Sequence, residues 1–117
     1  KMTLDNNKNS VVDLSYLEEY TDGDQEMIDE LIAAFLETTS EGLVELKSGI
    51  DMEDSTVWTQ AAHKLKGAAG YVGADTMKTL CAEAQAMTTS TQEERSSFYH
   101  KVVVSCDTVC DFLNGRG

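Results

Sequence analysis

Residues 58–74 read WTQAAHKLKGAAGYVGA. Within them Trp58, Ala62, Leu65, Ala69 and Val72 step by 4, 3, 4 and 3, the spacing of one apolar face on an α-helix. Yet the run carries Gly67 and Gly70 in its interior, beside His63, and an interior glycine costs a helix about 1 kcal/mol relative to alanine. On a helical wheel with the apolar stripe at zero, His63 falls near ~140°, Gly67 near ~180°, Gly70 near ~120°, Thr59 near ~100° and Lys66 near ~80°. The glycines therefore open a notch on the histidine's face and leave the core face alone. Another protein's surface could approach closely there.

The flanking segments repeat the helical pattern. Gly73 suits the left-handed position that ends a helix, and the chain restarts at about Asp75, so the very short turn sets the two helices antiparallel. Upstream, TDGDQEMIDELIAAF opens a long helix with Asp22 or Asp24 as its cap and Ile28, Leu31, Ile32, Phe35, Leu43, Leu46 and Ile50 as its apolar positions. Asp54 caps the helix that carries Trp58. A further helix holds Met77, Leu80, Ala84 and Met87; TTSTQEE breaks it and supplies a capping box, Thr91 with Glu94. The last helix buries Phe98, Val102, Cys106, Val109 and Leu113. A short segment, DLSYLEEY (13–20), has Asp13 as N-cap and Leu14, Leu17 and Tyr20 as contacts across one end of the bundle. The expected fold is all-α: an antiparallel up-down four-helix bundle, its helices of similar length, with a short additional N-terminal helix. One domain spans 13–117, and the polar, aperiodic residues 1–12 read as a flexible lead-in.

Composition agrees. The 117 residues are 41% hydrophobic, enough for a single modest core, and contain no proline. Twenty-one acidic against nine basic residues give a formal charge of −12, which repels nucleic acid and anionic lipid. No apolar run approaches the ~20 residues of a membrane span, and KMTLDNNKNS lacks the apolar core of a signal peptide, so a cytoplasmic monomer is expected, with no membrane and no nucleic acid as partner. Cys81, Cys106 and Cys110 are odd in number and form no C-x-x-C pair; they read as reduced core thiols.

The chemistry of His63 narrows by elimination. His100 is the only other histidine, and no H-x-x-x-H, H-E-x-x-H or Cys-His cluster accompanies either, so no metal is assigned. Between residues 61 and 74 there is no Ser, Cys, Asp or Glu to build a hydrolytic triad, and no G-x-x-x-x-G-K loop to cradle a phosphate. What remains is a nucleophile on a rigid helix, with an access notch and two cations, Lys64 and Lys66, near it in an acidic protein. Such a side chain can accept and return an anionic group when the partner brings the machinery.

These residues carry a resemblance. His63, Leu65, Lys66 and Gly67 as H-x-L-K-G, followed by Val72, Gly73 and Ala74 as an aliphatic-G-A, resemble the histidine-containing phosphotransfer (HPt) domain of phosphorelays. The opening at Gly23 and Asp24, and Phe35, are also similar, so the likeness runs from about Asp13 to Leu113. The resemblance implies that His63 accepts a phosphoryl group, that Lys66 helps to hold it, and that Gly67 permits docking of a response-regulator receiver domain. Thr59, Lys64 and Gly70 share that face as partner-binding candidates. Lys64 argues against the dimeric kinase-type histidine domains, whose motif has an acidic residue after the histidine, and self-phosphorylation from ATP is not expected. Implied partners are receiver domains, with a hybrid sensor histidine kinase as one source of the phosphoryl group. The chain would bring no cofactor of its own, the divalent metal being the receiver's. The alternative is a helical binding module that docks a receiver or another partner without transfer.

Overall fold

The computed structural model describes residues 11–115. They form five helices: α1 (Ser15–Thr21), α2 (Gln25–Asp51), α3 (Ser55–Tyr71), α4 (Asp75–Gln85) and α5 (Gln92–Gly115). No strand occurs among the described residues. Each of α2 to α5 packs on its neighbour in the chain, α5 closes back on α2, and α1 lies against α2, giving the up-down bundle with its short leading helix. Helices α3 and α5 are thus diagonal. The expectation of similar lengths fails, because α2 to α5 hold 27, 17, 11 and 24 residues.

Local chemistry starts the helices where the sequence places them. The Asp24 carboxylate accepts the N–H groups of Glu26 and Met27 to cap α2, while Asp22 instead ends α1 in the left-handed conformation (φ 56°). Asp54 accepts Thr56 and Val57 N–H to cap α3. The box before α5 is complete: Thr91 N–H donates to Glu94 Oε1 at 2.8 Å, and Glu94 N–H to Thr91 Oγ1 at 3.0 Å. Helix α1 differs, its N-cap being Leu14, with no side-chain cap, rather than the expected Asp13; Ser15 donates its N–H (3.0 Å) and its hydroxyl (2.6 Å) to Asp13 Oδ1, which lowers the Asp13 pKa through hydrogen bonds to its charged form.

The apolar face of α3 is the centre of the core. Trp58, Ala62, Leu65, Ala69 and Val72 are each 0% exposed. The Trp58 indole N–H donates to the Ala84 carbonyl at 2.7 Å, tying the start of α3 to the end of α4. Arg95, which the sequence reading left out, is buried and holds the α4–α5 loop: Nε and Nη2 donate to the Met87 carbonyl, Nη2 to Ser55 Oγ, and its guanidinium lies 5.7 Å from the Trp58 ring. Cys81 and Cys106 are fully buried thiols, and Cys110 is half-buried. The hydrogen bond to Cys81, and then burial, push the Cys106 thiol far up.

Three expectations need correction. Tyr20 is no core contact: it is 63% exposed and stacks on Tyr16. Phe98 is only partly buried. The lead-in expected over residues 1–12 falls largely outside the described residues, but Val12 is a core residue, and Asp13 N–H donates to the Val72 carbonyl at 3.0 Å. Asp13 packs so closely on Gly73 (φ +62°) that no side chain fits at that position.

Two glycines of α2 do the opposite of Gly67 and Gly70. A Cβ on Gly49 would stand 2.8 Å from the Trp58 backbone nitrogen and Cα, and one on Gly42 would stand 2.7 Å from Leu65 Cδ2. They let α3 press against α2. Gly49→Ala forces the backbones apart and is expected to lower stability by about 1–3 kcal/mol, although alanine is the better helix former. Urea denaturation checks this, and Gly42→Ala should be milder because the obstacle there is a side chain.

Candidate functional site

His63 lies in the middle of α3 and is exposed. Its ring stands on a ridge between two neighbours. On the α4 side, the Gln85 side-chain amide contacts His63 Nδ1 at 3.2 Å. On the α2 side a groove of about 540 Å³ begins at His63, with Lys64, Gly67, Ala68 and Tyr71 of α3 as one wall and Leu31, Ala34, Phe35 and Thr38 of α2 as the other. Tyr20 of α1 also lines it.

The structure sorts the sequence candidates by side. His63, Lys64 and Gly67 share the α2 groove. Lys66 turns instead toward α4, over Asp75, Lys78, Thr79 and Glu83. Gly70 lies one turn beyond Lys66, and Thr59, one turn before His63, donates its hydroxyl to the Thr56 carbonyl at 3.2 Å. Neither Thr59 nor Gly70 lines the groove. A Cβ on Gly67 or on Gly70 would meet nothing within 4 Å, so both positions are open where the wheel puts the polar face.

The two lysines differ electrostatically. Lys64 Nζ pairs with Glu45 at 3.3 Å and with Glu41 at 3.8 Å, both from α2, so its charge is already matched. Such exposed pairs are worth only ~0–1 kcal/mol, but they fix where the ammonium points. Lys66 has no ion-pair partner among the described residues and is the free cation within one turn of His63. His100 sits on the diagonal helix α5, in a separate groove with Leu80, Lys101 and Val104. Among the described residues no group of three His, Cys, Asp or Glu side chains could hold a metal ion.

Gln85 is the residue that sequence reasoning missed. Nothing local marks it, because its reach to His63 depends on how α4 is rotated against α3.

The site is thus one exposed histidine on the central helix of a bundle, with a side-chain amide on one ring nitrogen and open backbone one turn away. The chain belongs to the Hpt domain family: the family's sequence profile matches residues 30–100, more than half of the chain, and His63 lies inside the match. No match was found among curated proteins or among solved structures. As an Hpt domain it is a phosphotransfer module of phosphorelays rather than a kinase, and Hpt domains interact with receiver domains. No helix among the described residues is long and apolar enough to cross a membrane.

Proposed function

We propose that His63 takes a phosphoryl group from the aspartyl phosphate of one receiver domain and passes it to the aspartate of another. The observation that carries this reading is the exposed His63 in the middle of α3, whose Nδ1 lies 3.2 Å from the Gln85 amide nitrogen while no hydrogen bond engages Nε2 among the described residues. Attack through Nε2 needs its lone pair, and hence the proton on Nδ1; which nitrogen holds the proton is set by the hydrogen bond that the other makes. With Nδ1 protonated, the Gln85 amide turns its oxygen to accept that N–H, at the same heavy-atom positions. The Nε2 lone pair then forms the N–P bond while the acyl phosphate P–O bond breaks. The receiver's carboxylate leaves, and the Nδ1 proton stays on the ring.

Phosphoryl transfer is governed by positioning and by neutralising the oxygens' charge. The receiver's acidic pocket and divalent metal supply most of that. From this chain come His63 and, one turn on, the unpaired ammonium of Lys66. Gly67 keeps the approach clear.

The test is incubation of the chain with a panel of purified receiver domains charged by acetyl phosphate. Label is expected to move from at least one receiver to the chain within seconds and to leave again on addition of a second, and ATP alone should give none. A chain that binds receivers yet never takes label is a docking module without transfer. Within this reading Gln85 is a positioning residue. Gln85→Ala removes one hydrogen bond, worth about 1 kcal/mol, and should slow transfer about fivefold at saturating receiver. The half-saturating receiver concentration should stay the same, and Gln85→Glu, which still accepts from Nδ1, should restore the rate.

A further inference from the structure

A second groove lies between α4 and α5, away from His63. Its volume is about 660 Å³, within the range of small-molecule sites. Met77 and Leu80 of α4 form one wall, Val104 and Val109 of α5 the other, and Val11 joins them from the chain ahead of α1. Met77 and Val109 are buried, whereas Val104 is 65% exposed. Thr108 also lines the groove, but its hydroxyl is committed to the Val104 carbonyl at 2.9 Å. From His100 to Val109 the groove follows α5 for about 13 Å.

Charge in this groove is confined to one end and to one sign. His100 and Lys101 are its titratable lining residues, and no Asp or Glu lines it, although the chain holds 21 acidic against nine basic residues. The Lys101 ammonium lies 5.6 Å from the Phe98 ring and has no carboxylate within ion-pair distance among the described residues. Glu94, two turns before it, accepts the Thr91 N–H instead. The His100 ring meets Tyr99 edge-on, and no hydrogen bond engages its nitrogens among the described residues.

We propose that the α4–α5 groove binds a free medium-chain carboxylate, its head at His100 and Lys101 and its tail along Leu80, Met77 and Val104 toward Val109. Taking the tail out of water drives binding, and the ammonium and an imidazole N–H hold the head by charge-assisted hydrogen bonds. One ammonium matches one negative charge. The absence of a lining carboxylate removes the repulsion that an acid meets elsewhere on so acidic a surface. A neutral or cationic amphiphile gains the tail contacts alone. An anionic bilayer is repelled by the chain's charge of −12, so the ligand is the free acid anion and not a lipid headgroup. The site is on the helix diagonal to α3 and stands independently of the transfer reading.

The experiment titrates the full chain with decanoate, below the concentration at which it forms micelles, by calorimetry and by amide shifts. Saturable one-site binding is expected, with the largest shifts at Leu80, Lys101 and Val104. Butyrate, which keeps the head and loses most of the tail, should bind about a hundredfold more weakly. Decanol and decyltrimethylammonium, which keep the tail, should each be about tenfold weaker than decanoate. Lys101→Glu should weaken decanoate about tenfold and leave decanol unchanged. Val104→Asp, at an exposed position that spares the core, should weaken both. His63→Gln, and Tyr71→Ser in the groove beside His63, should bind decanoate like the parent. The proposal is overturned if decanoate binds no tighter than decanol, if neither Lys101→Glu nor Val104→Asp moves it, or if Tyr71→Ser abolishes it. It is equally overturned if the parent sediments as a dimer that Val104→Asp dissociates, which would make the groove a contact between copies of the chain. Pelleting of the parent with phosphatidylglycerol vesicles, lost in Lys101→Glu, would overturn it in favour of a lipid surface.

Discussion

His63→Gln is expected to remove every trace of phosphoryl acceptance from a charged receiver, because the substituted amide has no lone pair of comparable nucleophilicity to offer phosphorus. The parent's label should be labile to acid and stable to base, as a phosphoramidate bond is. The substitution falls on an exposed position of α3, so stability should stay within ~0.5 kcal/mol of the parent and a thermal melt separates loss of chemistry from loss of fold. His100→Gln is the matched control. It changes the other histidine, on the diagonal helix, and should transfer like the parent. Label retained by His63→Gln and lost by His100→Gln would move the site to the α4–α5 groove.

That one histidine could be singled out from sequence reflects which features are local. Helix starts are set by side chains within three residues of the N–H groups they satisfy, so Asp24, Asp54 and the Thr91–Glu94 box could be read directly. The placement of Gly67 and Gly70 needed only the period of one helix. The same reasoning, pressed further, reaches Gly42 and Gly49: Ile28, Ile32, Phe35, Thr39, Gly42, Leu46 and Gly49 step by 4, 3, 4, 3, 4 and 3, which puts both glycines on the buried stripe of α2. Arg95 likewise stands in register with Phe98, Val102 and Cys106, a charge on an apolar line, and that signal was there to find.

Other features have no local signal. The contact of Gln85 with His63 joins residues 22 apart, and the capture of Lys64 by Glu41 and Glu45 depends on the register of α2 against α3. Spacing alone marks Lys64 and Lys66 alike as cations near His63, and tertiary packing separates them. Tyr20 misled for a related reason: an aromatic at helical spacing reads as core, yet the seven-residue α1 has room to bury only Leu17 and Thr21, and the ring is left lining the groove.

Gly67→Gln should slow receiver-dependent transfer by about a hundredfold while the protein melts no lower than the parent. The two halves of this prediction follow from the same open space. No atom outside the helix's own backbone lies within 4 Å of a Cβ at Gly67, so a side chain there strains nothing in the free protein. Replacing an interior helical glycine with a better helix former adds somewhat under ~1 kcal/mol, part of it by restricting the unfolded chain. In the docked complex the space is not empty. Residue 67 lies one turn from His63 on the groove wall, about 40° around the helix, and a glutamine side chain there stands where the receiver's surface must come to bring its aspartyl phosphate within ~3–3.5 Å of Nε2. A displacement of 1 Å from that geometry is enough for a loss of order 10²-fold. Phosphoramidate, which needs no protein surface beside His63, should label Gly67→Gln nearly as fast as the parent, so the defect is assigned to docking rather than to the imidazole. Gly49→Ala gives the converse result, lower stability with the His63 face intact, because that glycine is pressed against Trp58 and not against a partner. A Gly67→Gln chain that melts lower and transfers normally would mean that both glycines serve packing, and that the receiver approaches His63 from the α4 side.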